Sequence, residues 1–462
     1  MKYALTFCFV LFFGKLLLAQ SNTYNADSSV IIEDIIITGN KKTRNFIILR
    51  EMVFAKGDTI LKSQLNDKLL QSKQLIFNTT LFVTTDLIAA QGKENNITII
   101  IDVKERWYIF PLPYFKWVDR NFNEWWTNQK ASLDRVNYGL KFFHNNLTGR
   151  NDRLNINLIT GYTRQTSIKY EMPFFDRKLQ HGFSVSYTSS KQKEVNYLTS
   201  NDNKQLFFKQ ENQFTRNFIS GNLSYTYRPD QYWRHFVRLS YVNDNILDTV
   251  AKLNPNYFGN GRKSLSYGEL QYGVQYIKTD FIPYPTKGLI AQASVTKTGF
   301  DANLNLWQLR ASAMYAFPIK TKGYGRVKVG AASKFPTNNI FINQQLFGYG
   351  DFTLRGQDLL VVDGMAGAIT QLTVGHEIFK FNIKTPLKNK AYQKIPFKVY
   401  AKLFSDFGYS YNPNNRQNIL SNQLMRSWGF GLDILSIYDF VFRIEYGFNQ
   451  FGNGTFVVNT GL

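Results

Sequence analysis

Two hydrophobic periodicities divide the chain. Residues 30–38 are dense in β-branched side chains and read as a strand closed by Gly39-Asn40. Thr43 stands as an N-cap for a short helix reaching to about Met52, and Gly57-Asp58 marks a turn. Leu61, Leu65, Leu69 and Leu70 recur at helical spacing behind Ser63, which predicts an amphipathic helix over 63–77. Residues 82–89 and 97–103 are two further strands joined across Gln91-Gly92. The order over 29–106 is β-α-α-β-β, a small α/β unit.

Residues 107–113 form the boundary, and from 114 to 462 the helical period disappears. Segments of about ten residues alternate apolar with polar or small side chains between turn-rich stretches. Leu154, Ile156, Leu158 and Tyr162 share one parity, as do Leu270, Tyr272, Val274 and Tyr276. So do Trp307, Leu309, Ala311, Ala313, Tyr315 and Phe317, then Phe397, Val399, Ala401 and Leu403. Trp428, Phe430, Leu432 and Ile434 follow, then Phe442, Ile444, Tyr446 and Phe448. The opposite parities carry charges, amides and glycines. A soluble sandwich also shows one apolar face. Rings clustered at segment ends and a charged opposite face instead predict an antiparallel transmembrane β-barrel with a wet interior. Its length suits about sixteen strands. Residues 190–216 and 244–264 read as long external loops. Pro285-Thr286-Lys287-Gly288 and Asn412-Pro413-Asn414-Asn415 read as turns.

Composition adds a compartment. Lys2, an apolar stretch to Leu18 interrupted by Gly14 and Lys15, and Ala19 before Gln20 read as a secretory signal peptide, residues 1–19. Its removal takes away Cys8, the single cysteine, and no small residues precede Cys8 as a lipid anchor would need. A disulfide framework is excluded. The net charge is +22, of which Lys2 and Lys15 supply two, leaving +20 on residues 20–462. In an exported protein that balance points to membrane phosphates or a solvated surface, and no nucleic acid partner is expected. Aromatic residues are 16% of the chain, and interface girdles give them a use.

Residues 334–365 break the alternation. In 347–357 three glycines surround Arg355. Such a loop either lies outside with Arg355 solvated or folds into the lumen, where a guanidinium needs an acidic partner. Strand parity points Asp406 and Glu377 inward, along with Lys402, Asp433, Arg443 and Glu445. Arg355 facing Asp406, with Glu377 nearby, is the candidate constellation.

Several motifs carry a resemblance. Ile37-Thr38-Gly39-Asn40-Lys41, Asn78-Thr79-Thr80-Leu81-Phe82 and Val103-Lys104-Glu105-Arg106, in that order, resemble a polypeptide-transport-associated (POTRA) domain. Leu354-Arg355-Gly356 resembles the sixth-loop arginine motif of the outer-membrane protein assembly factor superfamily, the BamA and TamA type with its bacterial surface antigen barrel. Phe404-Ser405-Asp406-Phe407-Gly408 resembles the strand motif whose aspartate receives that arginine. Gly429-Phe430-Gly431 and Phe442-Arg443-Ile444-Glu445-Tyr446-Gly447 resemble the closing strands. Gln357 stands where the family often has an aromatic residue, and Leu462 ends the chain where many outer-membrane strands end in a ring.

The resemblance implies a membrane all-β fold: a 16-stranded antiparallel transmembrane β-barrel over 114–462 behind one POTRA-like periplasmic domain over 29–106. It implies the outer membrane of a Gram-negative-type cell, with the POTRA-like domain in the periplasm. It further implies assisted insertion of β-barrel proteins by strand templating, without cofactor or metal. Expected partners are unfolded outer-membrane protein clients, outer-membrane lipids and periplasmic or lipoprotein partners. A secretion pore for a dedicated partner and a passive barrel are the alternatives. No enzyme is expected: Gly-x-Ser-x-Gly, His-Glu-x-x-His and a phosphate loop are missing from the sequence, and His144, His181, His235 and His376 lack ligand spacing.

Overall fold

The computed structural model describes residues 28–118, 130, 132–300, 304–337, 340–349, 352–358, 360–386, 393–413 and 418–461. The expected leader and residues 414–415 of one expected turn lie outside them.

The N-terminal unit comprises β1 (Ser29–Thr38), α1 (Asn45–Leu49), β2 (Thr59–Leu61), α2 (Lys62–Phe77), β3 (Phe82–Gln91) and β4 (Asn96–Glu105). Its sheet runs β2-β1-β4-β3, with β1 and β4 parallel. Val30, Ile32, Ile99, Ile101 and Val103 present one face of the sheet to Ile47, Ile48 and Ile76 of the helices. Strand β2 is not visible in the sequence, because three residues are too few to show alternation. Thr43 does not cap α1: the preceding residue is Arg44, and no side chain caps the helix. The Thr43 hydroxyl instead meets the Tyr108 hydroxyl at 3.0 Å and accepts from Asn146 at 2.9 Å. Helix α2 begins at Lys62, so Ser63 lies inside its first turn.

Glu105 closes the turn after β1. It accepts from the backbone N–H of Lys42 at 3.0 Å and of Thr43 at 2.6 Å. Burial pulls its carboxyl upward, but the donors on Thr43, Lys42 and Lys41 outweigh that and hold it below the ordinary 4.5. A depressed folded value contributes stability that is complete above the unfolded value and lost as pH falls through the folded one. Glu105→Gln is therefore expected to speed amide exchange in peptides spanning 39–46 at neutral pH. Wild type and variant should converge in acid. Unchanged exchange at neutral pH would show that something else holds this turn.

Sixteen strands make one antiparallel sheet. It begins with β5 (Ile109–Trp117), β6 (Val136–Asn145), β7 (Arg153–Gly161), β8 (Thr163–Met172) and β9 (His181–Gln192). The hairpin β10 (Glu194–Thr199) and β11 (Gln205–Lys209) stands outside the sheet. Then come β12 (Arg216–Tyr227), β13 (Trp233–Ile246), helix α3 (Asp248–Leu253) and β14 (Ser264–Thr279). Next are β15 (Gly288–Thr298), β16 (Leu306–Ile319) and β17 (Gly323–Phe335). A long connection holds α4 (Phe341–Gln344), β18 (Gln345–Phe347) and β19 (Val362–Asp363). The sheet ends with β20 (Ala366–Lys384), β21 (Lys394–Tyr411), β22 (Leu424–Leu435), β23 (Val441–Asn449) and β24 (Gly454–Gly461). No helix of the described residues is long and apolar enough to cross a membrane.

The first barrel strand starts at Ile109, within the stretch that reads as a boundary. Pro111 and Pro113 give that stretch its linker-like look, and an edge strand tolerates both. The parities are those of the sequence: Leu270, Tyr272, Leu309, Tyr315, Leu403, Trp428 and Phe430 are all exposed on the outer wall. Tyr162 departs from its set. It follows the end of β7, is buried, and donates to Glu194 at 3.1 Å.

The N-terminal unit packs on one end of the barrel, here called proximal. Arg106 forks onto Asp439 between β22 and β23 with two bonds of 2.8 Å. Arg50 donates to Leu179 O at 2.8 Å, and Asn78 to Thr279 O at 3.2 Å. The hairpin β10–β11, α3 and the β17–β20 connection crowd the opposite, distal end. There Val195, Val250, Phe258, Leu304 and Phe341 share an apolar cluster.

Candidate functional site: the lumenal loop and the open sheet edge

The β17–β20 connection enters the barrel from the distal end. Phe347, Phe352, Leu354 and Val362 pack with Ile369, Leu420 and Met425. Burying those apolar side chains carries the next residue, Arg355, down into the lumen. Asn203 bridges the β10–β11 turn to both neighbouring loops, donating to Val361 O at 2.9 Å and accepting from Leu420 N at 3.0 Å.

Arg355 meets Asp406 of β21, whose exposure is 0%. The Arg355 Nε and its backbone N–H each donate to Asp406 Oδ2 at 3.0 Å, and the guanidinium also donates to Oδ1. A further guanidinium N–H donates to the Thr373 hydroxyl at 3.0 Å, and another to Leu372 O at 3.2 Å. Gln371 donates to the same carboxylate at 3.0 Å. A buried ion pair is tolerable when its remaining hydrogen-bonding groups find partners, and here four of the five guanidinium N–H groups have one. The Phe404 ring lies under the guanidinium at 4.2 Å.

Room for this comes from glycines on the closing strands. Phe404, Gly429 and Gly447 lie in one cross-strand row of β21, β22 and β23. A Cβ on Gly447 would sit 2.7 Å from Gly356 Cα, and one on Gly429 would sit 2.5 Å from the Phe404 ring. Gly356 itself has φ +79°, a conformation that disfavours any side chain. Gln357, the departure from the aromatic pattern, donates to Gln450 between β23 and β24 at 2.8 Å.

Glu377 is not brought to Arg355. The Tyr400 hydroxyl donates to it at 3.1 Å. Thr373 and Gln371 are partners that sequence reasoning did not single out, though both lie on β20. A second constellation also went unassembled. Lys402 reaches Asp433 at 2.6 Å and Glu445 at 2.7 Å, and Tyr284 donates to Asp433 at 2.8 Å. Parity had already turned Lys402, Asp433 and Glu445 inward. The register that sets Lys402, Gly431 and Glu445 in one row was the missing piece. His144 contacts Lys42, while His181 and His235 flank the Tyr227 ring in one cross-strand row and contact the Tyr225 and Tyr272 hydroxyls.

Among the described residues β5 and β24 are each paired on one side only, with β6 and β23. Asn145 N–H donates to Tyr108 O, Val118 N–H to Arg135 O, and the intervening register is unbroken. In an antiparallel pair every second residue faces the same neighbour, so the even-numbered residues of β5 face β6. Positions 109, 111, 113, 115 and 117 then point to the free edge. Pro111 and Pro113 remove the donor at two of those five. The free edge of β24, positions 454, 456, 458 and 460 by the same reasoning, has no proline.

These features define a sixteen-stranded β-barrel with an α/β unit at one end, an arginine loop pinned in its lumen and an unpaired edge. The Omp85 superfamily domain matches residues 146–460, and the chain belongs to the Omp85 superfamily. Its relatives are outer-membrane barrels that serve assembly or transport, which places this chain in the outer membrane. The fold is similar to that of BamA from Haemophilus ducreyi lacking POTRA domains 1–3, at 15% identity and TM-score 0.52, covering 94% of this chain and 85% of that one. It is also similar to CdiB from Escherichia coli, at 10% identity and TM-score 0.54, covering 93% and 75%. No curated protein sequence matches the chain.

Proposed function

We propose that this protein assists insertion and assembly of β-barrel proteins in the outer membrane by templating client strands on its open edge. The observation that supports this most directly is the weak closure between β5 and β24: one-sided pairing, with two of five edge donors replaced by proline. An unpaired strand edge recruits strands. The N-terminal unit, read as a POTRA-like domain in the periplasm, offers the free edge of β3 to an extended chain. Arg355, held by Asp406, keeps the loop against β20–β23 while the edge is open. None of this needs a cofactor. A dedicated secretion pore is the second reading, favoured by the likeness of fold to CdiB and opposed by the packed distal loops.

The test is client folding in lipid vesicles, followed by heat-modifiable gel mobility. The folded protein is expected to accelerate an unfolded outer-membrane barrel. Arg355→Ala and removal of residues 21–106 should each abolish the acceleration. If a correctly folded wild type gives no acceleration, the assembly reading is wrong. Single-channel conductance then examines the pore.

A further inference from the structure

A cavity of about 840 Å³ lies at the proximal end of the lumen, between α2 and the inner faces of β7–β9 and β12–β15. Its lining is unbalanced in charge, with seven Lys or Arg residues against four Asp or Glu residues. Three of the acids are already engaged. Glu51 pairs with Arg50 and Arg228 at 3.3 Å, and Glu171 pairs with Lys169 at 2.8 Å. Asp280 accepts from the backbone N–H groups of Phe281, Thr286 and Lys287 in its own turn. The fourth, Asp67, is on α2. Among the described residues Arg153, Arg234, Arg238, Lys278 and Lys287 have no carboxylate within ion-pair distance.

The strand register explains the crowding. Arg153 of β7 stands opposite Glu171 of β8, Glu171 opposite Ser184 of β9, and Ser184 opposite Ser224 of β12. Ser224 in turn stands opposite Arg238 of β13. Arg234 lies two pleat repeats nearer the proximal end of β13, beside Arg228. The Nε atoms of Arg228 and Arg234 are buried without a hydrogen-bond partner. Like charges gathered in a confined space, with buried donors unfilled, call for an anion.

We propose that this chamber binds a phosphorylated saccharide, free or as the headgroup of a lipid. Guanidinium forks recognise phosphate oxygens. Gln74 of α2 and Gln275 of β14 supply amides that suit sugar hydroxyls, while Gln71, Asn78 and Gln231 already bond within the protein. The volume is that of a small-ligand site. An extended acidic peptide fits less well. Each strand of this wall is paired on both sides, so the chamber offers no free edge for main-chain bonding. This inference does not depend on the proposed role in assembly.

The probe is glucose 1,6-bisphosphate, titrated calorimetrically into the detergent-solubilised full chain at low salt, where screening is weakest. One saturable site is expected. Arg234→Gln with Arg238→Gln should weaken it about tenfold or more. Lys73→Gln, which removes a charge paired with Asp86 on the outer side of α2, should leave it unchanged. Gel mobility establishes that the double variant is folded; if it is not, Lys278→Gln with Lys287→Gln takes its place. Competition by a phosphorylated glycolipid in mixed micelles assigns a lipid headgroup, and its failure to compete assigns a soluble sugar phosphate. The proposal is overturned by absence of saturable binding, by equal affinity in the lumenal variants, or by tighter binding of hexaglutamate.

Discussion

Asp406→Ala is expected to destabilise the barrel by about 3–5 kcal/mol, the usual cost of stranding one partner of a buried ion pair. The size follows from what Asp406 does. Its carboxylate accepts from the Arg355 guanidinium, the Arg355 backbone and Gln371. Removing it leaves a cation over Phe404 with only Thr373 and Leu372 O as partners. The loop should then leave the lumen and become sensitive to protease within 347–358. The temperature at which the folded form converts to the unfolded gel mobility should fall. Arg355→Met combined with Asp406→Leu separates charge from packing. Replacing both ions with apolar groups is often close to neutral, so this double variant should recover most of the lost stability. Equal conversion temperatures for wild type and Asp406→Ala, with the loop still protected, would show that the apolar packing of Leu354 and Phe352 holds the loop alone.

The sequence carries much of this arrangement, in uneven measure. Strand parity is a local property, so the outward rows at Leu270–Tyr276 and Trp307–Phe317 are readable from residues two apart. Parity also turned Asp406, Lys402 and Glu445 inward. Pairing register is not local. Glu377 and Asp406 both face the lumen, yet Glu377 stands opposite Tyr400 and Asp406 opposite Gln371. That offset decides which carboxylate meets Arg355. Capping failed for a related reason: Thr43 has the chemistry of a helix cap, but Tyr108 and Asn146 claim its hydroxyl through contacts 65 and 103 residues away. The start of the barrel falls too late as well: residues 107–113 read as a boundary, and only the sheet shows that β5 already begins at Ile109 with Pro111 and Pro113 on its free edge.

Those prolines give the prediction with the largest effect on activity. Closing the barrel needs β5 to pair with β24, and each new backbone bond contributes about 0.5–1.5 kcal/mol. Pro111→Thr with Pro113→Thr restores two donors on the free edge, so closure should gain about 1–3 kcal/mol and the open population should fall roughly 5- to 150-fold. Client folding in vesicles should slow accordingly, while the barrel's own stability is kept or raised. The limiting case is a covalent tether. Tyr114 lies on the lumenal face of β5, where Lys141 stacks on its ring at 4.5 Å, so Leu112 and Lys116 share that face. On β24 the lumenal positions are Thr455, Val457 and Asn459, because Phe456 and Val458 are exposed on the outer wall. The strands run antiparallel, which pairs the distal end of one with the distal end of the other. Cysteine pairs at Leu112 and Asn459, Tyr114 and Val457, or Lys116 and Thr455 are the three to make, in a chain with Cys8 replaced. At least one should oxidise when the strands come within disulfide reach. That pair should bring client folding down to the rate without the protein, and reductant should restore it. Full oxidation with undiminished client folding would mean that clients do not enter between β5 and β24, and the templating mechanism would fail with it.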